Sequence, residues 1–178
     1  MRVIAGSLGG RRFEAPPGQA TRPTPERVRE ALFSTLGDLH GARVLDLFAG
    51  SGALAFEALS RGAGDAVLVE RDRRAAAAIR RNIESLALGD RAELREADAI
   101  ATAEALAGGE PFDLVLVDPP YDDAEKLAPR LEAALPPLLA QSARVVVESD
   151  RRRPLLLKSL PVAFERRYGD TLLRIQTP

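Results

Sequence analysis

Apolar positions along the chain follow two alternating periods. Short aliphatic runs at Arg43 to Phe48, Ala66 to Glu70, Ala92 to Glu96, Asp113 to Val117 and Ala143 to Glu148 read as buried strands. Between them the spacing turns helical over Ala53 to Arg61, Arg73 to Ser85, Ala99 to Leu106 and Ala124 to Leu139, the last interrupted near Pro136 and Pro137. Strand and helix in alternation predict parallel βαβ units and a doubly wound α/β sheet. The rhythm changes at Val162 to Tyr168 and Thr171 to Gln176, which flank Gly169-Asp170 and predict a hairpin with a reversed strand at the sheet edge. Upstream, Val3 to Ala5 and Arg11 to Glu14 can pair around Gly9-Gly10 as a small hairpin. A proline-marked linker then leads to a helix from Pro25 or Glu26 to about Leu36, with Thr24 as N-cap and Pro25 suited to its first position. A chain of 178 residues suits one domain.

Composition narrows the chemistry. Cysteine is absent, which excludes disulfides, thiolate metal sites and cysteine nucleophiles. Met1 to Gly10 has neither a secretory pattern nor a membrane-length apolar run, so a cytoplasmic location with no membrane partner is expected. The net charge of −1 conceals an asymmetry. Residues 1–29 carry six arginines against Glu14 and Glu26, and residues 150–178 carry seven basic side chains against three acidic ones, so each end is +4 and the middle −9. Basic ends around an acidic centre suit a protein that grips a polyanion at its ends and does chemistry between them; solvated surface arginine is the plainer alternative.

Val44-Leu45-Asp46-Leu47-Phe48-Ala49-Gly50-Ser51-Gly52-Ala53 is a strand running into a glycine turn and a helix, a nucleotide-type site at the carboxyl end of a sheet. Gly50, Gly52 and Ala55 also satisfy the dinucleotide fingerprint, with Glu70 at the expected distance, so a nicotinamide cofactor competes. Asp46, four residues ahead of Gly50, favours S-adenosylmethionine: a carboxylate there suits a zwitterionic amino acid and repels a pyrophosphate. Glu70 can accept both ribose hydroxyls. Asp98 can accept from an adenine amine, cap the helix beginning at Ala99, or do both.

The sharpest motif is Phe112-Asp113-Leu114-Val115-Leu116-Val117-Asp118-Pro119-Pro120-Tyr121, a buried strand ending at an acid, two prolines and an aromatic. The prolines remove amide donors and stiffen the backbone. A carbonyl between Asp118 and Pro120, together with the Asp118 carboxylate, then forms a rigid pair of acceptors for a planar amino group. Such contacts hold a nitrogen in line with a methyl donor and favour its nucleophilic form. Tyr121 can stack on an unpaired base. A proline turn with Tyr121 in the core is the alternative.

With these residues in place the chain resembles a Rossmann-like class I methyltransferase, and specifically the bacterial family that methylates the guanine N2 amine of small-subunit (16S) ribosomal RNA. The resemblance rests on Met1-Arg2-Val3-Ile4-Ala5-Gly6, Thr21-Arg22-Pro23-Thr24 with Arg27-Val28-Arg29-Glu30-Ala31-Leu32-Phe33, Asp46 to Gly52, Asp118 to Tyr121, and Arg167-Tyr168-Gly169-Asp170-Thr171. It implies a seven-stranded, mostly parallel sheet with an antiparallel C-terminal hairpin, residues 1–40 forming an N-terminal extension to a core over 41–178. It also implies Asp118, Pro119, Pro120 and Tyr121 at the target amine. The cofactor would lie against Asp46, Phe48, Ala49, Gly50, Gly52, Glu70, Arg71, Asp98, Ala99 and Asp118. RNA contacts would come from Arg11, Arg12, Arg22, Tyr121 and Arg167. The implied partner is small-subunit ribosomal RNA or the assembling subunit, bound by a monomer that uses no metal.

Three classes of function compete: this RNA methyltransferase, a nicotinamide-dependent oxidoreductase, and a noncatalytic RNA-binding protein. The second lacks a proton-donor arrangement, since the one histidine, His40, precedes the first sheet strand. The third leaves Asp118 to Tyr121 without a role. A DNA adenine or glutamine-directed methyltransferase would also present nitrogen to a proline-rich turn.

Overall fold

The computed structural model describes residues 1–16, 24–120 and 123–178. Helix α1 (Glu26–Leu36) precedes β1 (Arg43–Asp46), α2 (Ala53–Ser60), β2 (Asp65–Val69), α3 (Arg73–Ser85), β3 (Ala92–Arg95), α4 (Ala99–Leu106), β4 (Phe112–Val117), α5 (Ala124–Ala134), β5 (Leu139–Asp150), β6 (Val162–Tyr168) and β7 (Thr171–Gln176). The seven strands form one sheet in the order β3-β2-β1-β4-β5-β7-β6. β1 to β5 are parallel, while β7 runs antiparallel to both its neighbours.

The alternation of side chains across each strand divides the core in two. Val44, Leu114, Leu116 and Val146 face a layer that includes Leu32 and Phe33 of α1, Phe56 of α2 and Ile79 of α3. Leu45, Val115, Val117, Val145 and Val147 face Ile100 of α4 and Leu131 of α5. Buried on both faces, the central strands read as nearly continuous apolar runs. The chain leaves β1 toward β2 on one side and later adds β4 on the other. Their carboxyl ends therefore diverge at β1, the place where open α/β sheets bind ligands.

The reversed strand is not at the edge, as the hairpin pattern predicts. β7 lies between β5 and β6, and β6 forms the border. The reason is burial: Leu172, Leu173 and Ile175 of β7 are buried, whereas β6, with Glu165, Arg166 and Arg167, is mostly exposed. The charged strand takes the solvated border, where it also discourages edge pairing. Helix α5 ends at Ala134, and a 3-10 turn over Pro136–Leu138 separates it from β5, which begins four residues earlier than its apolar run.

The expected N-terminal hairpin forms: an antiparallel bridge between Arg2 and Arg12 is flanked by backbone bonds in both directions between Met1 and Phe13 at 3.0 Å, from Val3 to Arg11 at 3.0 Å and from Gly10 to Val3 at 2.9 Å. It is also held to α2. Fully buried Glu57 accepts from the amides of Ile4 at 2.8 Å and Ala5 at 3.1 Å, and from Arg61 Nε at 2.7 Å. Gly6, at φ +83°, passes so close to the Ser60 carbonyl that a Cβ there would sit 1.9 Å from its oxygen. Phe13 packs edge-on to Phe56 with ring centroids 5.5 Å apart. Thr24 does not cap α1, whose N-cap is Pro25 without a side-chain bond. Its hydroxyl is drawn to Glu148 across the fold. No helix among the described residues is long and apolar enough to cross a membrane.

Candidate active site

A cavity of about 950 Å³ opens at the carboxyl ends of β1, β2, β4 and β5. Its size is at the upper end for small-molecule sites and leaves room for more than one ligand. A carboxylate stands near the carboxyl end of each parallel strand: Asp46 ends β1, Glu70, Asp98 and Asp118 follow β2, β3 and β4, and Glu148 lies two residues before the end of β5, all on the cavity wall.

The glycine turn after β1 is shaped from within. Gly52 adopts φ +80°, and a Cβ there would strike the Phe56 ring at 2.5 Å, so glycine is required on both backbone and steric grounds. Its amide donates to the Ala49 carbonyl at 2.6 Å, and Gly50 donates to Glu70 Oε2 at 2.8 Å. Both glycine amides are thus engaged inside the protein and are not aimed at a phosphate. Phe48, Ala49 and Gly50 line the cavity; Gly52 does not, and acts through the shape of the turn.

Glu70 also accepts from the Asp72 amide at 2.8 Å through Oε1, which fixes the carboxylate while leaving each oxygen a further lone pair. Asp98 caps α4, accepting from Ile100 and Ala101 at 3.0 Å, both through Oδ1, so Oδ2 remains available at the cavity. Ala99 lies beside it, and exposed Arg71 also lines the cavity, 3.5 Å from Asp123.

Asp46 is 1% exposed, and neither carboxyl oxygen reaches hydrogen-bonding geometry with a donor among the described residues. Burial pushes its pKa up to about 7; the nearby amides of Phe48 and Ala55 offset part of this, while Glu70 adds to it. An orphaned buried carboxyl facing a cavity is the expected signature of a site that receives a cationic group.

Asp118 follows β4 and keeps part of its surface open to the cavity. Low-polarity surroundings raise its pKa well above the usual carboxylate range, and the charges of Glu148 and Asp46 raise it further. Pro119 and Pro120 continue the wall, and the Pro120 carbonyl accepts from the Asp123 amide at 3.0 Å. The Pro119 carbonyl accepts no hydrogen bond from a described residue. Tyr121 lies outside the described residues, as does Arg22.

Glu148 escapes sequence reading because it looks like a strand terminus. The register that pairs Val117 with Val147 sets it beside Asp118 on the neighbouring strand. It is 4% exposed and accepts from Thr24 Oγ1 at 2.9 Å. Burial raises its pKa, and the Thr24 hydroxyl pulls it back. The usable signal was the repeat itself, an acid directly after Val145-Val146-Val147 just as Asp118 follows Val115-Leu116-Val117. Met1, Ala15, Pro16 and Thr24 also reach the cavity, so the N-terminal segment forms part of its rim.

Of the basic residues expected at RNA, Arg11, Arg12 and Arg167 are exposed. The Arg11 guanidinium also donates to the carbonyls of Ser85 and Leu86 at the C-terminal end of α3.

A family model described as Conserved hypothetical protein 95 matches residues 1–177. The chain belongs to this family. It is 37% identical to "Putative rRNA methyltransferase YlbH" of Bacillus subtilis (strain 168), over 96% of this chain and 95% of that one. It is 40% identical to "Ribosomal RNA small subunit methyltransferase D" of Escherichia coli (strain K12), over 68% of this chain and 60% of that one. Among solved structures, "Putative methyltransferase yhhF from Escherichia coli" superposes with a TM-score of 0.84 at 34% identity, covering 99% of this chain and 97% of that one. The architecture is the Rossmann-like methyltransferase fold.

Proposed function

We propose that this protein transfers a methyl group from S-adenosylmethionine to the exocyclic N2 amine of a guanine in small-subunit (16S) ribosomal RNA. The observation that carries the reading is that the glycine turn and Asp118-Pro119-Pro120 share one cavity, so a cofactor on the first meets an amine on the second. Relatives named as small-subunit ribosomal RNA methyltransferases support the substrate class.

The described residues fit the cofactor. Asp46, with its unpaired oxygens, suits the cationic amine of the amino acid portion; the remaining acceptor capacity of Glu70 suits a ribose diol; and Asp98 Oδ2 suits an adenine amine. Phe48, Ala49, Gly50, Arg71 and Ala99 complete this half of the site. A dinucleotide fits poorly, because both glycine amides are engaged and a pyrophosphate would lie against Asp46. The cofactor supplies an electrophilic methyl on a sulfonium.

The protein's work is to position and desolvate the amine. Asp118 accepts one N2 hydrogen and the Pro119 carbonyl the other, which turns the nitrogen lone pair toward the methyl. Tyr121 stacks on the extruded base, and Arg12, Arg22 and Arg167 hold flanking phosphates. Arg11, exposed while two of its donors bond the end of α3, adds a further phosphate contact through the others.

The test is transfer of labelled methyl to small ribosomal subunits and to their naked RNA, both from cells lacking the protein. Labelled N2-methylguanosine is expected in one or both. Label on another nucleoside, or none despite cofactor binding, would overturn the reading.

A further inference from the structure

We propose that Glu148 selects guanine: resting on the guanine N2 reading above, its second carboxylate oxygen accepts the base N1–H while Asp118 accepts from the adjacent N2 amine. Glu148 is held in place, with Oε2 engaged by Thr24 Oγ1 at 2.9 Å, and Oε1 has no donor among the described residues. It lies on the wall of the cavity that contains Asp118, Pro119 and Pro120, although only 4% exposed. The β4–β5 register sets it and Asp118 side by side on the face shared by Leu116 and Val146.

Two adjacent acceptors match only one common base edge. Guanine presents N2–H and N1–H as neighbouring donors, whereas the amines of adenine and cytosine neighbour a ring nitrogen that is itself an acceptor. A carboxylate at that point attracts guanine and repels the other two, so selection comes from repulsion as well as attraction. Burial raises the Glu148 pKa, and the Thr24 hydroxyl works against it by donating to the ionised, accepting form. Tyr168 agrees with this order. Its hydroxyl is buried without a partner among the described residues, it lines the same cavity, and it reaches in from β6, on the far side of β5 from Asp118, where a donor to guanine O6 is needed.

The experiment compares methyl transfer to substrate RNA carrying guanine or 2-aminopurine at the modified position, by the wild-type protein and by Glu148→Gln. 2-Aminopurine keeps the amine but has a lone pair at N1. The wild-type protein is expected to prefer guanine by about 100-fold in kcat/KM, since sites built to bond an N–H reject analogues lacking it. Glu148→Gln, whose amide can donate to N1, is expected to shrink that ratio by about 10-fold or more, with S-adenosylhomocysteine affinity within about 3-fold as the measure of an intact fold. A ratio unchanged by Glu148→Gln, with both substrates slowed alike, would overturn the role of Glu148. Failure of the wild-type protein to methylate guanine at all would instead overturn the N2 reading on which it rests.

Discussion

Asp46 sits beneath the glycine turn with both oxygens unpaired, and its raised pKa has two consequences. An acid whose pKa rises on folding favours the folded state while protonated. Its contribution is complete below pH 3.8, declines as the pH climbs, and is gone once the pH passes about 7. Asp46→Asn removes this dependence. Thermal melts of the cofactor-free protein should show the variant gaining about 10 °C over the wild-type protein at pH 8, and less than half of that at pH 5. Facing a cationic amine requires the ionised form. Calorimetric affinity for S-adenosylmethionine should therefore strengthen as pH rises through about 7 in the wild-type protein and be weak and flat in Asp46→Asn. Asp118 has a separate task. Asp118→Ala should lower methyl transfer by about 1000-fold while cofactor affinity stays within about 3-fold, and equal losses would contradict the division of roles. Much of this was legible in the sequence, because Asp46 precedes a glycine turn, Glu70 and Asp118 close apolar runs, and Asp98 opens a helical stretch. Glu148 was not recognised, since its neighbour Asp118 and its partner Thr24 are supplied by strand register and by a hydroxyl 124 residues away.

At the scale of elements, the parallel strands and their helices follow the hydrophobic periods closely, because burial on both faces leaves little freedom to place them. The hairpin was legible as a hairpin, but the rank of its strands was not. That rank depends on comparing the apolar content of β7 with the charges of β6, a competition for one place in the sheet. The N-terminal hairpin was legible too, and its arms pair through backbone bonds, but its docking onto α2 was not, since that depends on a buried Glu57 more than 50 residues away. Glu57→Ala would strip the amides of Ile4 and Ala5 and the Arg61 guanidinium of their acceptor. A loss of about 2–4 kcal/mol in denaturant unfolding is expected. Because Met1, Ala15 and Pro16 border the cavity, transfer to RNA should fall further than cofactor affinity does. A variant with unchanged stability would show that the segment is held by other contacts.

Over the whole molecule, charge is arranged by position in the chain, with +4 at each end against −9 between them. The central acids include Asp46, Glu70, Asp98, Asp118 and Glu148 on the cavity wall, which suit a cationic cofactor and amine donors, while Arg11, Arg12 and Arg167 are exposed for a polyanion. Affinity for small-subunit RNA should fall by about 50-fold between 50 and 200 mM salt, as expected when about four phosphates are neutralised, and cofactor affinity by no more than about 2-fold. Fluorescence titrations of each ligand across that range would separate the two. The central claim is that one cavity brings the methyl donor to a guanine N2 in small-subunit RNA. Its most direct measurement is nucleoside mass spectrometry of that RNA from source cells with the gene intact, deleted, and restored as wild type or Asp118→Ala. Loss of one N2-methylguanosine on deletion, recovered only by the wild-type gene, is the predicted result; an unchanged N2-methylguanosine content after deletion would contradict it.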